Sequence, residues 1–408
     1  PLRRLFKKIP NLFLSLKPCL MMSPLTVAQF LEPNIFRFDL VVFDEASQVP
    51  PEDSIGAIMR GKQIVIAGDT KQLPPTTFFQ STVLTSEDFD EEDFDEYIVD
   101  DLSSILEECA SSGFPSTMLK WHYRSRHESL IAFSNKNYYD YGLNTFPNAE
   151  EESKTMGVKF NYLPNLTYQK GGVNEKEARI VAKRVFTQLT EYPDLSLGVG
   201  TFSIKQKYAI EDAIEELRKQ DTSLEAFFST DSPEHFFVKN LESIQGDERD
   251  VIFISVGYGK NAYGKLSMNF GPINKLGGER RLNVLVTRAR LRLEIFSSIK
   301  GSEFDLSKTN SEGAHLLKQY LDYAEHGKKI LFQDINLPAK MDFSESPFEE
   351  AVYNILIRAG IKTHQQVGCS GYRIDLAVVD KENPGRYLLG IECDGASYHS
   401  CATARDRD

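Results

Sequence analysis

No apolar run in this 408-residue sequence is long enough to cross a bilayer, and neither an initiator Met nor a signal peptide precedes Pro1. A spanning helix is excluded on that count, and a fragment of a cytoplasmic protein is expected. The five cysteines, Cys19, Cys109, Cys369, Cys393 and Cys401, are odd in number, lack C-x-x-C spacing and have no zinc-type histidine pattern beside them. Free thiols in a reducing compartment follow, rather than disulfides or a zinc site. Basic residues are missing from one place: Glu87 to Asp101 holds ten acids and no Lys or Arg, and without it the formal net charge of −12 becomes −2. That run reads as a solvated surface insertion. The rest is nearly balanced, and Arg280, Arg281, Arg288, Arg290 and Arg292 lie close together, so a local basic surface is compatible with the acidic pI.

What is present begins with Leu40-Val41-Val42-Phe43-Asp44-Glu45-Ala46-Ser47-Gln48. Its four apolar residues predict a buried strand, and its two carboxylates stand where the strand leaves the sheet, the place where α/β proteins put their chemistry. Asp44 can hold Mg²⁺ through its water shell while Glu45 polarises an attacking water, as nucleotide hydrolysis requires. Two solvated acids at a strand-end turn are the alternative. A second strand, Gln63 to Ala67, ends in Gly68-Asp69-Thr70-Lys71-Gln72-Leu73-Pro74-Pro75.

Together these two stretches resemble motifs II and III of superfamily 1 helicases, in the branch that contains the nonsense-mediated-decay RNA helicase. Trp121-His122-Tyr123-Arg124-Ser125-Arg126 resembles motif IV, and the stretch from Glu242 to Asp250, with Gln245-Gly246 at its turn, resembles motif V. Arg281 to Arg290 resembles motif VI. The resemblance implies an α/β fold with two RecA-like parallel-sheet domains, ATP and Mg²⁺ as cofactors, and nucleic acid as partner. It casts Gln72 as a γ-phosphate sensor, Arg124 as an arginine finger and Arg288 as a second γ-phosphate contact. Gly246 would permit close backbone approach, and Glu248 would lie near the ribose or the bound strand. For Arg280, Arg281 and Arg292, in what reads as an arginine-rich helix, a role and a set of salt bridges are evenly matched.

A complete enzyme of this type needs a GxxxxGK[ST] loop whose backbone amides and lysine neutralise the β- and γ-phosphates. None precedes Asp44. The near match Gly259-Lys260-Asn261-Ala262-Tyr263-Gly264-Lys265-Leu266 has Leu where a hydroxyl is required and follows the strand Val251 to Val256, so it reads as a Gly-rich loop. The phosphate loop is expected upstream, and the chain as given is expected to hydrolyse ATP poorly. Around the motifs, Leu2 to Lys8 reads as the end of a basic helix, and Cys19 to Leu25 as a strand followed by a Ser-Pro turn. Glu175 to Tyr192 has helical spacing, Leu197 to Phe202 reads as a strand, and Ser203 as the cap of a helix carrying Gln206. That β-α-β rhythm predicts a second parallel sheet.

The composition changes after Ile299. Ser346-Pro347-Phe348-Glu349 opens a helix with Phe348, Val352, Ile355, Leu356 and Ala359 on one face and Gly360 as its stop. Arg373 to Val379 and Tyr387 to Asp394 read as a hairpin across Lys381 to Gly385. Asp375 and Glu392 would then meet at one metal ion, an arrangement that resembles the PD-(D/E)xK nucleases, particularly the relatives of very-short-patch-repair endonucleases. Asp394 stands where that pattern has lysine, and His399 is the neutral base candidate nearby. Glu349 is a further candidate, although Ser-x-x-Glu is also a capping box.

The domains expected are therefore the rest of RecA-like domain 1 over 1–145, with the acidic insertion at 87–101, and RecA-like domain 2 over 146–300, with motif IV at its 121–126 entry. A linker over 301–341 and a small, C-terminally truncated restriction-endonuclease-like domain over 342–408 complete the chain. The function implied is that of an ATP-dependent helicase or translocase with an appended Mg²⁺-dependent nuclease, acting in DNA repair or defence. Single-stranded DNA stands ahead of RNA as its partner, although motifs II to VI read backbone more than base edges. An ATP-gated binding switch, or a nuclease loaded by RecA-like domains, are the alternatives.

Overall fold

The computed structural model describes all residues except 1–3, 5, 7, 76–102, 151–152, 154, 169–172, 230–233, 334–346 and 394–408. The acidic run, Asp394, His399, Cys401 and most of Leu2 to Lys8 lie outside the described residues. The chain divides into two compact units, Pro1–Met118 and Leu119–Asp408, so motif IV and the residues up to 145 group with the second unit, whereas a boundary at 145 was expected.

In the first unit, helices α1 (Pro10–Leu16) and α2 (Pro24–Phe30) precede strand β1 (Phe38–Phe43), helix α3 (Pro51–Ile58) and strand β2 (Gly61–Ile66), and α4 (Ile105–Ser111) closes it. The strand expected from Cys19 is absent. Instead, Ser23 accepts a hydrogen bond from the Thr26 amide and Pro24 takes the first helical position, so Ser-Pro starts α2 rather than turning a strand. Strands β1 and β2 are parallel neighbours, with Phe43 opposite Ile66. Phe43 packs with Ala46, Ala57, Ile105 and Cys109, and Val41 and Ile66 lean on that cluster. The expected burial of the whole strand is corrected: Leu40 is 48% and Val42 58% exposed. Side chains alternate across a strand, and among the described residues only the Val41–Phe43 face is covered.

The second unit is built on a five-stranded, all-parallel sheet in the order β3-β7-β6-β4-β5. Helix α5 (Ser129–Tyr138) leads into β3 (Gly157–Tyr162), α6 (Glu175–Glu191), β4 (Leu197–Thr201), α7 (Ile204–Gln220), β5 (Phe237–Asn240) and β6 (Arg249–Ser255). Helix α8 (Gly278–Val286) and strand β7 (Ala289–Ser297) follow. Strand β4 is buried along its whole length, as a central parallel strand should be, and Val181, Val185, Ile210 and Ile214 of α6 and α7 pack over Val199, Val251 and Phe253. Ser203 caps α7 by accepting from the Gln206 amide, as its sequence predicts. The arginine-rich stretch is not one helix: α8 ends at Val286, and Arg290 and Arg292 lie on β7.

The span expected as a linker holds α9 (Glu312–His326), whose buried Leu317, Tyr320 and Leu321 pack it onto this unit. After α10 (Lys329–Gln333) come α11 (Pro347–Arg358) and the antiparallel strands β8 (Thr363–Val367), β9 (Ile374–Val379) and β10 (Tyr387–Ile391), in the order β10-β9-β8. The hairpin of β9 and β10 is as expected and Gly360 has a φ of +75°, suited to a helix stop. The face expected to bury α11 is only partly covered: β8 and β9 lie against the helix and leave Val352 and Leu356 half-buried, while Phe348 is 56% and Ile355 64% exposed.

Candidate functional site

In the first unit, two backbone bonds tie the strand ends together: the Ala67 amide donates to Phe43 O at 2.8 Å and the Ala46 amide to Ala67 O at 2.9 Å. Between them the chain turns at Glu45, whose φ of 51° is left-handed, a strained conformation of the kind that gathers at functional sites. Its amide donates to Asp44 Oδ1 at 3.0 Å, and Gln48 Nε2 donates to Glu45 Oε2 at 3.3 Å. Both carboxylates face solvent. A Cβ on Gly68 would stand 3.0 Å from the Ser47 amide nitrogen, so a glycine is what lets the second strand end come this close to the first. There Gln72 Nε2 donates to Asp69 Oδ2 at 3.0 Å, and Leu73, Pro74 and Pro75 are buried beneath it.

The Ser47 hydroxyl is buried without a hydrogen-bond partner among the described residues, beside two open carboxylates. Hard oxygen donors with an unsatisfied hydroxyl alongside fit a hydrated Mg²⁺.

In the second unit, Arg124 Nε lies 2.7 Å from Glu248 Oε2, so the structure brings two predicted residues together. Arg290, on β7, reaches Glu248 at 3.7 Å, Asp250 at 3.0 Å and Glu234 at 2.7 Å. Gly246, at φ +85°, makes the predicted turn with open space where a Cβ would be. The Gln245 side-chain amide beside it has no hydrogen-bond partner at either buried atom among the described residues. Arg288 is 2% exposed, in the turn after α8, and its Nε donates to Val284 O at 2.9 Å. Arg281 is paired with Glu242 at 2.6 Å and Arg292 with Glu294 at 2.9 Å, all four side chains buried, so both arginines form the salt bridges that were one of the two expectations. His122, next to Arg124, accepts from the Ser125 amide at 3.1 Å; burial and then the Arg124 charge lower its pKa to about 4.

At the C-terminal end, the hairpin register puts Leu376 opposite Ile391, so Asp375 on β9 and Glu392 just past β10 converge. The Cys393 amide donates to Asp375 Oδ2 at 2.7 Å and the Tyr372 hydroxyl to Glu392 Oε1 at 3.1 Å. Gln366 Nε2 lies between Asp375 Oδ1 at 3.4 Å and Glu349 Oε2 at 3.3 Å, which draws the third candidate carboxylate in. Burial, and then the neighbouring Asp375 carboxylate, raise the Glu392 pKa above its ordinary value. Two carboxylates pressed together in this way fit a divalent cation, although no cluster of three ligating groups forms among the described residues. Gln366 and Tyr372 were not foreseen. Thr363 to Gln366 is an unbroken polar run with no strand-like alternation, and nothing local marks Tyr372.

A family model described as an AAA domain matches residues 25–80, and another of that description matches 102–300. A REase-type family model, REase_MTES_1575, matches residues 348–408. The chain carries superfamily 1 helicase domains followed by a restriction-endonuclease-like domain. Among curated relatives, it is 38% identical to "Uncharacterized ATP-dependent helicase MG140" of Mycoplasma genitalium over 362 residues, 86% of this chain and 31% of that protein. It is 34% identical to the MG140 homolog of Mycoplasma pneumoniae over 389 residues, 91% of this chain and 34% of that protein. Regulator of nonsense transcripts 1 of Dictyostelium discoideum is 28% identical over 282 residues, 65% of this chain and 19% of that protein. The chain thus spans about a third of the length of the first two relatives. Among the described residues no helix is long and apolar enough to cross a membrane.

Proposed function

We propose that the chain supplies the motor core of an ATP-dependent nucleic-acid helicase or translocase and carries a divalent-metal-dependent nuclease-like domain. The observation that carries this reading is the junction of the two strand ends, where Asp44 and Glu45 stand beside Asp69 and Gln72. Asp44 would hold the Mg²⁺ of the nucleotide, Glu45 would take a proton from the attacking water, and Gln72 would report the γ-phosphate. Mg²⁺ neutralises charge on the phosphates when bound. Arg124 and Arg288 are assigned to the transition-state charge, and Gly246 with Glu248 to the ribose or the bound strand. Asp375 and Glu392 would hold the cation of the nuclease-like domain. We assign single-stranded DNA as the track and DNA repair or defence in the cytoplasm as the setting.

The test is ATP hydrolysis by the full-length protein with and without single-stranded DNA or RNA, in wild type and Glu45→Gln. Stimulation by one polymer, abolished by the substitution, supports the motor and names its track. No stimulation by either overturns it. Nucleotide-dependent affinity without strand separation would replace the motor by a binding switch.

A further inference from the structure

The nuclease-like domain is bolted to the motif IV side of the second unit through the segment joining β8 to β9. The amide and thiol of Cys369 both donate to Glu128 Oε1, at 3.0 and 3.2 Å. The Thr145 amide donates to Ser370 Oγ at 2.9 Å, and that hydroxyl returns a bond to Thr145 O at 3.3 Å. A Cβ on Gly371 would approach the side-chain oxygen Oδ1 of Asn144 to 2.8 Å, so the Asn144 side chain lies against this segment. The residue that follows this clamp is Tyr372. Its ring lies 5.8 Å from Trp121 and 6.0 Å from Phe146, which themselves stack at 4.8 Å. Its hydroxyl donates to Glu392. Trp121 opens the Trp121-His122-Tyr123-Arg124 segment, three residues before the arginine assigned to the nucleotide. One side chain therefore touches the motif IV segment with its ring and a nuclease-like carboxylate with its oxygen.

We propose that Tyr372 is a positioning residue: its hydroxyl orients Glu392 for a divalent cation, while its ring couples that carboxylate to the Trp121–Arg124 segment. The proposal rests on the reading of Asp375 and Glu392 as a cation pair. A tyrosine serving only to fill space between Trp121 and Phe146 would need the ring and not the hydroxyl, so deleting the oxygen separates the two roles. Coupling of this kind is reciprocal: what moves Trp121 alters the cation affinity, and the cation alters Trp121.

Trp121 is the single tryptophan of the chain, so its emission reports its surroundings without interference from another indole. The experiment titrates Mg²⁺ into the whole chain, following heat of binding and Trp121 fluorescence in parallel, in wild type, Tyr372→Phe, Phe146→Leu and Glu392→Gln. In wild type, Mg²⁺ binding is expected to change Trp121 emission, and Glu392→Gln to abolish that change together with the heat that accompanies it. Tyr372→Phe is expected to keep the wild-type melting temperature, weaken Mg²⁺ by about tenfold to a hundredfold, as loss of one hydrogen bond to a charged group would, and remove most of the Trp121 response. Phe146→Leu is expected to weaken Mg²⁺ in the same direction without touching the carboxylates. If Tyr372→Phe binds Mg²⁺ with wild-type affinity and leaves the Trp121 response intact, the proposal is overturned while the cation pair stands. If wild type shows no Mg²⁺ binding that Glu392→Gln removes, the cation pair falls and the proposal with it.

Discussion

Arg124 and Glu248 form an ion pair of 2.7 Å that joins the motif IV segment to the motif V turn. A guanidinium assigned to a nucleotide is thus held by a carboxylate assigned to ribose or strand, and engaging the γ-phosphate would release it. The two side chains are 36% and 38% exposed, so screening by water limits the pair. A double-mutant cycle on Arg124→Ala and Glu248→Gln is expected to give a coupling below about 1 kcal/mol in denaturant unfolding. In the full-length protein, Arg124→Ala is expected to lower ATP turnover by roughly a thousandfold or more, the scale of a lost arginine finger.

His122 gives this segment a pH dependence. Burial and the Arg124 charge lower its pKa from 6.5 to about 4, so between those values the folded chain binds fewer protons than the unfolded one. Its contribution to stability is complete above pH 6.5 and is lost as the pH falls through that window to about 4. The ceiling on the loss is ~3 kcal/mol. Protonating Nε2 would also break the bond it accepts from the Ser125 amide. Melting temperatures between pH 4 and 7 should therefore fall more steeply with acid in wild type than in His122→Asn.

Glu128 is the buried anchor of the C-terminal clamp. It is 3% exposed and accepts from Thr145 Oγ1 at 2.9 Å and from Lys328 Nζ at 3.1 Å in addition to Cys369. Burial raises its pKa, but Lys328 and the Cys369 donors outweigh that and hold it below the usual carboxylate range. Glu128→Ala leaves Lys328 and the Cys369 amide without their acceptor and is expected to cost about 3–5 kcal/mol. Cys369, whose burial pushes its thiol pKa up to about 12, should resist alkylation in wild type and react in this variant, as peptide mapping would show.

Gly278 and Gly313 both press against one carbonyl, that of Ile273, where α8 meets α9. A Cβ at either position would collide with that oxygen, which belongs to backbone and cannot swing away. Gly313→Ala is expected to destabilise the second unit by roughly 1–3 kcal/mol in thermal unfolding, more than Gly264→Asn, where the space is open and the φ of +74° is one that Asn tolerates.

Runs such as Leu40 to Phe43 and Val251 to Val256, and the Ser203 cap, were legible because strand propensity and capping act over a few residues. The motif order made Asp44, Gln72 and Arg124 candidates, and the paired carboxylates of the C-terminal hairpin did so for Asp375 and Glu392. The burial of β1 was not legible, since exposure of Leu40 and Val42 depends on what lies over the sheet rather than on their own apolarity. Helix α9 was taken for a connector because its burial comes from distant partners in α8 and β3. Tyr372 was invisible for a similar reason: its ring meets residues more than two hundred positions earlier, a proximity that no local period encodes.

The bond between Glu128 and Cys369 spans 241 positions. During synthesis the five-stranded sheet is complete long before Cys369 leaves the ribosome, and at ~5–20 residues per second that interval is several seconds. Until residue 369 emerges the Glu128 carboxylate lacks both Cys369 donors and stays hydrated on that side. The nuclease-like segment thus arrives after the sheet and closes the seam, so a ribosome-bound chain halted before residue 369 would carry a folded sheet with an open, hydrated seam.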